Sequence, residues 1–147
     1  MTRPAVALLL LFAIALSACG PQVTETLVAE QLAAARSRWT GAGVVDYAYE
    51  VIGECECNLG GRLGVTVEDG AVVDVVRLDV AGNPSIGAEI GSTVEDLFDM
   101  IEEGVASAES VEAVFDPVDG HPVEFRIVWV AEAADGAVSA RVTLVRR

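Results

Sequence analysis

Two stretches of the chain carry apolar residues at the spacing of an α-helix. The first runs from about Thr24 to Trp39. Thr24 is suited to cap its start, and Gly41 and Gly43 are expected to end it. Four apolar side chains share one face of this helix: Val28, Leu32, Ala35 and Trp39. The pattern predicts an amphipathic helix packed against a core.

The second helix begins at Ser92-Thr93-Val94-Glu95, a sequence typical of a capping box. Its acidic residues fall mainly outside its apolar face. Because EF-hand spacing is absent, we interpret them as a solvated helix face rather than as a calcium site. The apolar face comprises Val94, Leu97, Phe98, Ile101 and Val105, and the acidic residues are Glu95, Asp96, Asp99, Glu102 and Glu103.

Six further stretches alternate apolar and polar residues, which is the period of a half-buried β-strand. The element order α-β-β-β-α-β-β-β reads as one motif used twice. It predicts an α+β fold: a single domain over residues 25–147 with an antiparallel sheet and two helices packed on one face. The strands are expected at 45–51, 63–67, 71–75, 111–115, 123–131 and 138–144.

Each predicted group of three strands ends in a hairpin with a glycine turn. In the first hairpin, a three-residue loop with Gly70 in a left-handed conformation matches the apolar faces. In the second, a two-residue type I′ turn at Asp135-Gly136 matches them and places Trp129 centrally in a long strand that faces the helices. The resulting pairs are Val65 with Val73 in the first hairpin and Trp129 with Val142 in the second.

The N-terminal segment has the pattern of an export signal. Arg3 precedes the uncharged run Pro4–Leu16, which is shorter than the about 20 residues that span a bilayer. The run closes with Leu16-Ser17-Ala18-Cys19, which resembles the lipobox of bacterial lipoproteins. In that class the cysteine is lipidated on sulfur, so the resemblance implies lipidation of Cys19.

The lipobox resemblance implies a place in the cell. Residues 1–18 would be the signal peptide, and residues 19–24 a lipidated N-terminus and short tether. Two or three acyl chains hold a protein firmly to a membrane. We therefore expect the domain in the cell envelope, anchored to a membrane on its extracytoplasmic side. An ordinary signal peptide cut at Ala18 and a short core helix remain as alternatives.

Charge and residue types narrow the classes of partner. The chain is 52% hydrophobic and has 23 acidic against 9 basic residues, a net charge of −14. Nucleic acid is not expected as a partner, because phosphate binding needs clustered basic residues. All basic residues are arginine, which excludes a Schiff-base lysine and a P-loop lysine. The single histidine excludes a multi-histidine metal site.

Cys55-Glu56-Cys57 is the most unusual motif of the chain. Two cysteines of an exported protein tend to pair. Residues i and i+2 of a straight strand lie at the limit of disulfide reach, so the bond requires a kink, which the glycine-rich segment 58–61 offers. The acidic neighbours disfavour a reactive thiolate. We therefore predict a structural disulfide, with a Cu(I) clamp and a redox pair as alternatives.

His121 lies in the turn Asp116–Pro122, beside Asp119. A Ser-His-Asp site would need a nucleophile motif, and the sequence has none, so we interpret His121 as a surface turn residue. The large aromatic residues are predicted to lie in the core rather than to form a ligand platform. They are Trp39, Tyr47, Tyr49 and Trp129. No catalytic residue, metal ligand or cofactor is predicted.

Several motifs occur in a fixed order along the chain: Trp39, Asp46-Tyr47-Ala48-Tyr49, Cys55-Glu56-Cys57, Val65–Val72, Thr93–Phe98 and Phe115–Pro122. This order resembles an uncharacterised family of bacterial exported proteins, many of them lipoproteins, from about Trp39 to the C-terminus. Phe115 and His121 stand where that family usually has tyrosines. The family is a domain of unknown function without assigned activity or ligand, so the resemblance implies fold and location only.

These features together predict a lipid-anchored envelope protein that acts as a non-enzymatic binding or interaction module. The membrane would be its partner through the N-terminal lipid, and its protein or small-molecule partner stays open. The alternative is an envelope redox or copper-handling protein that uses Cys55 and Cys57.

Overall fold

The computed structural model describes residues 22–54, 59–131, 133 and 136–145. They form two α-helices, six strands and one short 3-10 helix. The helices are α1 (Gln22–Ala42) and α2 (Val94–Ser107), and the 3-10 helix is Ala88–Ile90. The strands are β1 (Tyr47–Glu54), β2 (Gly61–Glu68), β3 (Ala71–Arg77), β4 (Ser110–Phe115), β5 (Pro122–Val128) and β6 (Ala137–Val145).

The six strands form one antiparallel sheet in the order β3-β2-β1-β6-β5-β4. The predicted α+β fold and its element order are confirmed. The two halves of the chain meet where β1 pairs with β6, with Val51 opposite Val142. The first strand of one half thus pairs with the last strand of the other.

Helix α1 buries the predicted face of Val28, Leu32, Ala35 and Trp39 against the sheet. Its bounds differ from the prediction. The helix begins at Gln22, so Thr24 lies inside it, and Gly41 is still helical. Gly43 ends it with a φ of +61°, the left-handed conformation that glycine adopts readily.

Helix α2 buries Val94, Leu97, Phe98 and Ile101, as its sequence predicts. The capping box is present but lies one residue later than expected. Thr93 is the N-cap, and its hydroxyl accepts a hydrogen bond from the backbone N–H of Asp96. The Asp96 carboxylate accepts in return from the N–H of Thr93. The shift leaves Glu95 available for other contacts.

The register predicted for the first hairpin is wrong. Asp69 and Gly70 both have positive φ, which fits a two-residue type I′ turn. Val65 pairs with Val75 rather than with Val73, because the register shifts between Thr66 and Val67. This β-bulge turns Val73 towards solvent, where it is 47% exposed, and keeps the apolar face of β3 towards the core.

The second hairpin also has a different register. Strand β5 ends at Val128, and Phe125 and Ile127 pair with Ala140 and Val138. Trp129 therefore lies beyond the strand and packs only partly buried against the core. The strands stop early because the chain folds back on itself, and the N–H of Trp129 donates to the carbonyl of Gly136. The predicted pairing of Trp129 with Val142 is wrong, and Asp135 lies outside the described residues.

The two outer edges of the sheet differ. The backbone of β3 is covered by the segment that follows it: Arg77 N–H donates to the Pro84 carbonyl, and Ile86 N–H donates to the Val75 carbonyl. Strand β4 is the other edge, and its outer backbone pairs with no segment among the residues that the structure describes. Among the described residues, one edge of the sheet is therefore covered and the other is open.

Among the described residues, no helix combines the length and the hydrophobicity that are needed to cross a bilayer.

Candidate functional site

The residues singled out for lipidation and disulfide formation, Cys19, Cys55 and Cys57, lie outside the described residues. The cysteine pair belongs to the connection between β1 and β2. On either side of it, Gly53 and Gly60 form a β-bridge. A Cβ on Gly53 would collide with the backbone of Leu59, so the two strands approach closely where this connection begins and ends.

A polar cluster joins the end of α1 to the start of α2, and we call it the Glu95 cluster (Trp39, Tyr47, Tyr49, Ser92 and Glu95). The indole Nε1 of Trp39 donates to Glu95 Oε1 at 2.7 Å, and the Tyr47 hydroxyl donates to Glu95 Oε2 at 3.3 Å. The same hydroxyl accepts from the N–H of Val94 at 2.9 Å. The Tyr49 hydroxyl donates to the Ser92 carbonyl. The cluster connects residues that are distant in the sequence.

The helix dipole and burial both act on the ionisable side chains of the Glu95 cluster. Glu95 lies in the first turn of α2, where the helix dipole favours a carboxylate. Burial raises the pKa of Tyr47 well above its ordinary value, and the charge of Glu95 adds to this effect while the hydrogen bond from Val94 opposes it. Burial raises the pKa of Tyr49 in the same direction. Both phenols are therefore held neutral.

A second polar cluster lies in the turn between β4 and β5, and we call it the His121 turn (Asp116, Asp119 and His121). His121 and Asp119 are each 7% exposed, so the prediction of a surface histidine is wrong. The turn is pressed against α1, because a Cβ on Gly120 would collide with the carbonyl of Ala35. Gly120 has a φ of +88°, which a side chain would strain.

The His121 turn pairs an imidazole with a carboxylate. The Nδ1 of His121 lies 2.5 Å from Asp119 Oδ1, and the backbone N–H of His121 donates to the same oxygen at 3.2 Å. A carboxylate only accepts, so Nδ1 carries the hydrogen of this contact. Asp116 caps the turn through the N–H groups of Val118 and Asp119. One ligand atom of each of the three side chains lies within 4.8 Å of the others.

Trp39, a member of the Glu95 cluster, also contacts the His121 turn. Its ring centroid is 5.3 Å from that of Tyr47 and 6.4 Å from that of His121, with edge-to-face geometry on both sides. The predictions for Trp39, Tyr47 and Tyr49 are confirmed, because all three are at most 2% exposed. Glu95 was missed as a partner of these aromatic residues. Only its place in the first turn of α2 could have drawn attention to it.

The face of the sheet opposite the helices carries paired charges. Arg62 binds Glu50 at 2.7 Å, and Arg141 binds Glu124 at 3.3 Å. A shallow depression of about 390 Å³ lies beside the second pair, with Ile52 and Val114 also in its lining. The lining of this depression therefore combines charged and apolar side chains.

A model of a protein family of unknown function, DUF6174, matches residues 31–147. The chain belongs to the DUF6174 family. The match begins within α1 and includes every strand, so the DUF6174 domain comprises the whole sheet and α2. The comparison with curated proteins gave no match. The comparison with solved structures gave none either.

Proposed function

We propose that this DUF6174 protein is a lipid-anchored protein of the cell envelope whose folded domain is a non-enzymatic binding module. The proposed anchor is supported by the sequence Leu16-Ser17-Ala18-Cys19, which closes an apolar run as long as that of an export signal peptide. The helix α1 begins at Gln22, close behind Cys19. The domain would therefore be held near the membrane by a very short tether.

The geometry of the His121 turn does not support a hydrolase of the Ser-His-Asp type. A hydrolase of the Ser-His-Asp type needs a hydroxyl within hydrogen-bond reach of the imidazole nitrogen that faces the substrate. Across the described ranges, Nε2 of His121 has no hydrogen bond to a serine or threonine. The Asp119–His121 pair closes a turn against α1, and we assign it a structural role.

Replacement of the candidate lipidation site tests the anchor. We expect the Cys19→Ser variant to stay uncleaved and to carry no acyl chains, because the modified sulfur is absent. Ser17→Ala is the matched control, since it keeps the cysteine and a small residue before it. Mass spectrometry of the isolated proteins and fractionation into soluble and membrane fractions give the readout. A Cys19→Ser protein that is still cut before residue 19 and still carries acyl mass would overturn the proposal.

We further propose that Cys55 and Cys57 form a structural disulfide. The mass of the non-reduced protein should be lower than that of the reduced protein by two hydrogens. A double Cys→Ser variant should fold with modestly lower stability, because a ring this small constrains little chain entropy. Two free thiols in freshly isolated protein, or stoichiometric copper, would favour the redox or copper-handling function instead.

A further inference from the structure

The open edge of the sheet lies beside a groove. On one side of the groove is strand β4, with Ala113, Val114 and Phe115, followed by Pro117; on the other is helix α1, with Gln31, Ala34 and Arg38. The groove has a volume of about 590 Å³. We call it the β4–α1 groove. An unpaired strand edge that faces a helix is the arrangement in which an extended peptide adds to a sheet.

The size of the side chains in the groove suits the approach of a second backbone. Ala34 on α1 is exposed and Ala113 on β4 is only partly buried, so these two positions leave room for a second backbone. Strand β4 has six residues, enough to pair with a strand of ordinary length. The other edge of the sheet offers no such site, because the segment at Pro84–Ile86 already hydrogen-bonds to β3.

Arg38 gives the groove its charge. Four of the arginines with described positions form ion pairs: Arg36 with Asp99, Arg62 with Glu50, Arg77 with Asp79 and Arg141 with Glu124. Within the same ranges Arg38 forms none, in a chain with a net charge of −14. An exposed guanidinium in a groove of this kind is suited to a carboxylate, which it can bind through two parallel hydrogen bonds.

We propose that the β4–α1 groove binds an extended peptide that pairs with β4 and presents a carboxylate side chain to Arg38. A second copy of the chain fits less well. Antiparallel pairing of two β4 strands in the register that sets residue 112 opposite its own copy would bring two Glu112 side chains together, and like charges directly opposite each other repel. This inference rests on the proposed function, since it names the partner class of the binding module.

Peptide selection tests the proposal with the full, lipidated chain in detergent micelles. A phage library of linear random heptapeptides is selected on the protein, and the consensus peptide is synthesised with a fluorescein label. We expect the consensus to contain Asp or Glu at one fixed position. Binding of the labelled peptide, and of its analogue with Gln or Asn at that position, is then measured by fluorescence anisotropy.

Two variants with matched controls locate the binding site. Arg38→Gln should weaken binding of the acidic peptide by about tenfold or more and leave the amide analogue nearly unaffected. Arg126→Gln, on the other face of the sheet, should change neither. Ala34→Trp should fill the groove and abolish binding of both peptides. Ala33→Trp, at the neighbouring exposed position that faces α2, should preserve it.

Several outcomes would overturn the proposal. These are a library that yields no acidic consensus, a peptide that binds Arg38→Gln or Ala34→Trp as well as the parent chain, and sedimentation that shows a dimer disrupted by Ala34→Trp. The acyl mass of the same preparations is measured in parallel. A protein that carries the lipid but binds no peptide in the groove would therefore reject this inference alone and leave the anchor standing.

Discussion

The Glu95 cluster and the His121 turn are both polar groups beside Trp39, but they are built differently. The hydrogen bond from Trp39 to Glu95 connects residues 56 positions apart, and the one from Tyr47 to Glu95 connects residues 48 apart. The pair Asp119–His121 is separated by only two positions. The first cluster can form only when both helices and β1 are in place, whereas the second is part of a single turn.

This difference indicates which polar contacts depend on the tertiary fold. Loss of a long-range hydrogen bond leaves a buried donor unpaired and loosens two elements at once. Loss of a contact inside a turn leaves the packing of distant elements in place. We therefore expect substitutions in the Glu95 cluster to lower the free energy of unfolding more than substitutions in the His121 turn.

The largest effect is expected for Trp39→Ala, which removes a member of the Glu95 cluster whose ring also contacts His121. The loss should be about 3–5 kcal/mol, because a fully buried large aromatic side chain is replaced by a cavity. Trp129→Ala is the matched control, and since Trp129 is only partly buried it should cost less. Urea unfolding of the two variants measures both values. Equal losses of unfolding free energy in the two variants would contradict the larger contribution expected of the fully buried Trp39 ring.

Glu95→Ala comes next, with an expected loss of about 1–3 kcal/mol. It removes the acceptor shared by the indole of Trp39 and the hydroxyl of Tyr47. Glu103→Ala, an exposed position on the same helix, serves as the control and should change stability by less than about 0.5 kcal/mol. If both variants unfold at the same urea concentration as the parent chain, the cluster does not hold the two elements together.

Alkaline pH tests the two tyrosines of the cluster. Their pKa values are raised in the folded protein, so their neutral forms are favoured by folding. Their contribution should be complete below the ordinary tyrosine pKa of about 10 and should be lost as the pH rises through the folded-state values. The unfolding free energy should fall above about pH 10 by up to about 1.4 kcal/mol per pH unit for each tyrosine. Tyr49→Phe should make this decline shallower, and an unchanged slope would contradict the assignment.

The smallest effect is expected for Asp119→Asn in the His121 turn. The amide oxygen still accepts from Nδ1 and from the backbone N–H of His121, so the loss should be about 0.5–1.5 kcal/mol. Glu95→Gln is the matched change in the other cluster. A loss for Asp119→Asn that exceeds the loss for Glu95→Ala would reverse the ranking of the two clusters.

The sequence predicted what depends on periodicity. The buried faces of α1 and α2, the six strands and the order of the elements along the chain all follow from the spacing of apolar residues. The registers of the paired strands could not be predicted, because the alternation of apolar and polar residues does not reveal where a strand carries an extra residue. The bulge at Val73 and the fold-back from Trp129 to Gly136 are both of this kind.

The burial of His121 and the contacts of Glu95 could not be predicted from the sequence for a similar reason. The composition of the turn Asp116–Pro122 is typical of an exposed loop, and only the packing of Ala35 over Gly120 buries His121. Glu95 was assigned to a solvated face because its position on α2 is polar. Its contact with Trp39 depends on how the two helices meet, and that is a property of the assembled core.

The pairing of β1 with β6 also governs when the chain can fold. The sheet has no centre until Ala137–Val145 is available, because β6 alone joins the first three strands to β4 and β5. Such a chain closes its longest loop last, and contacts of this kind form slowly. During synthesis from the N-terminus, the sheet therefore stays incomplete until Ala137–Val145 has left the ribosome.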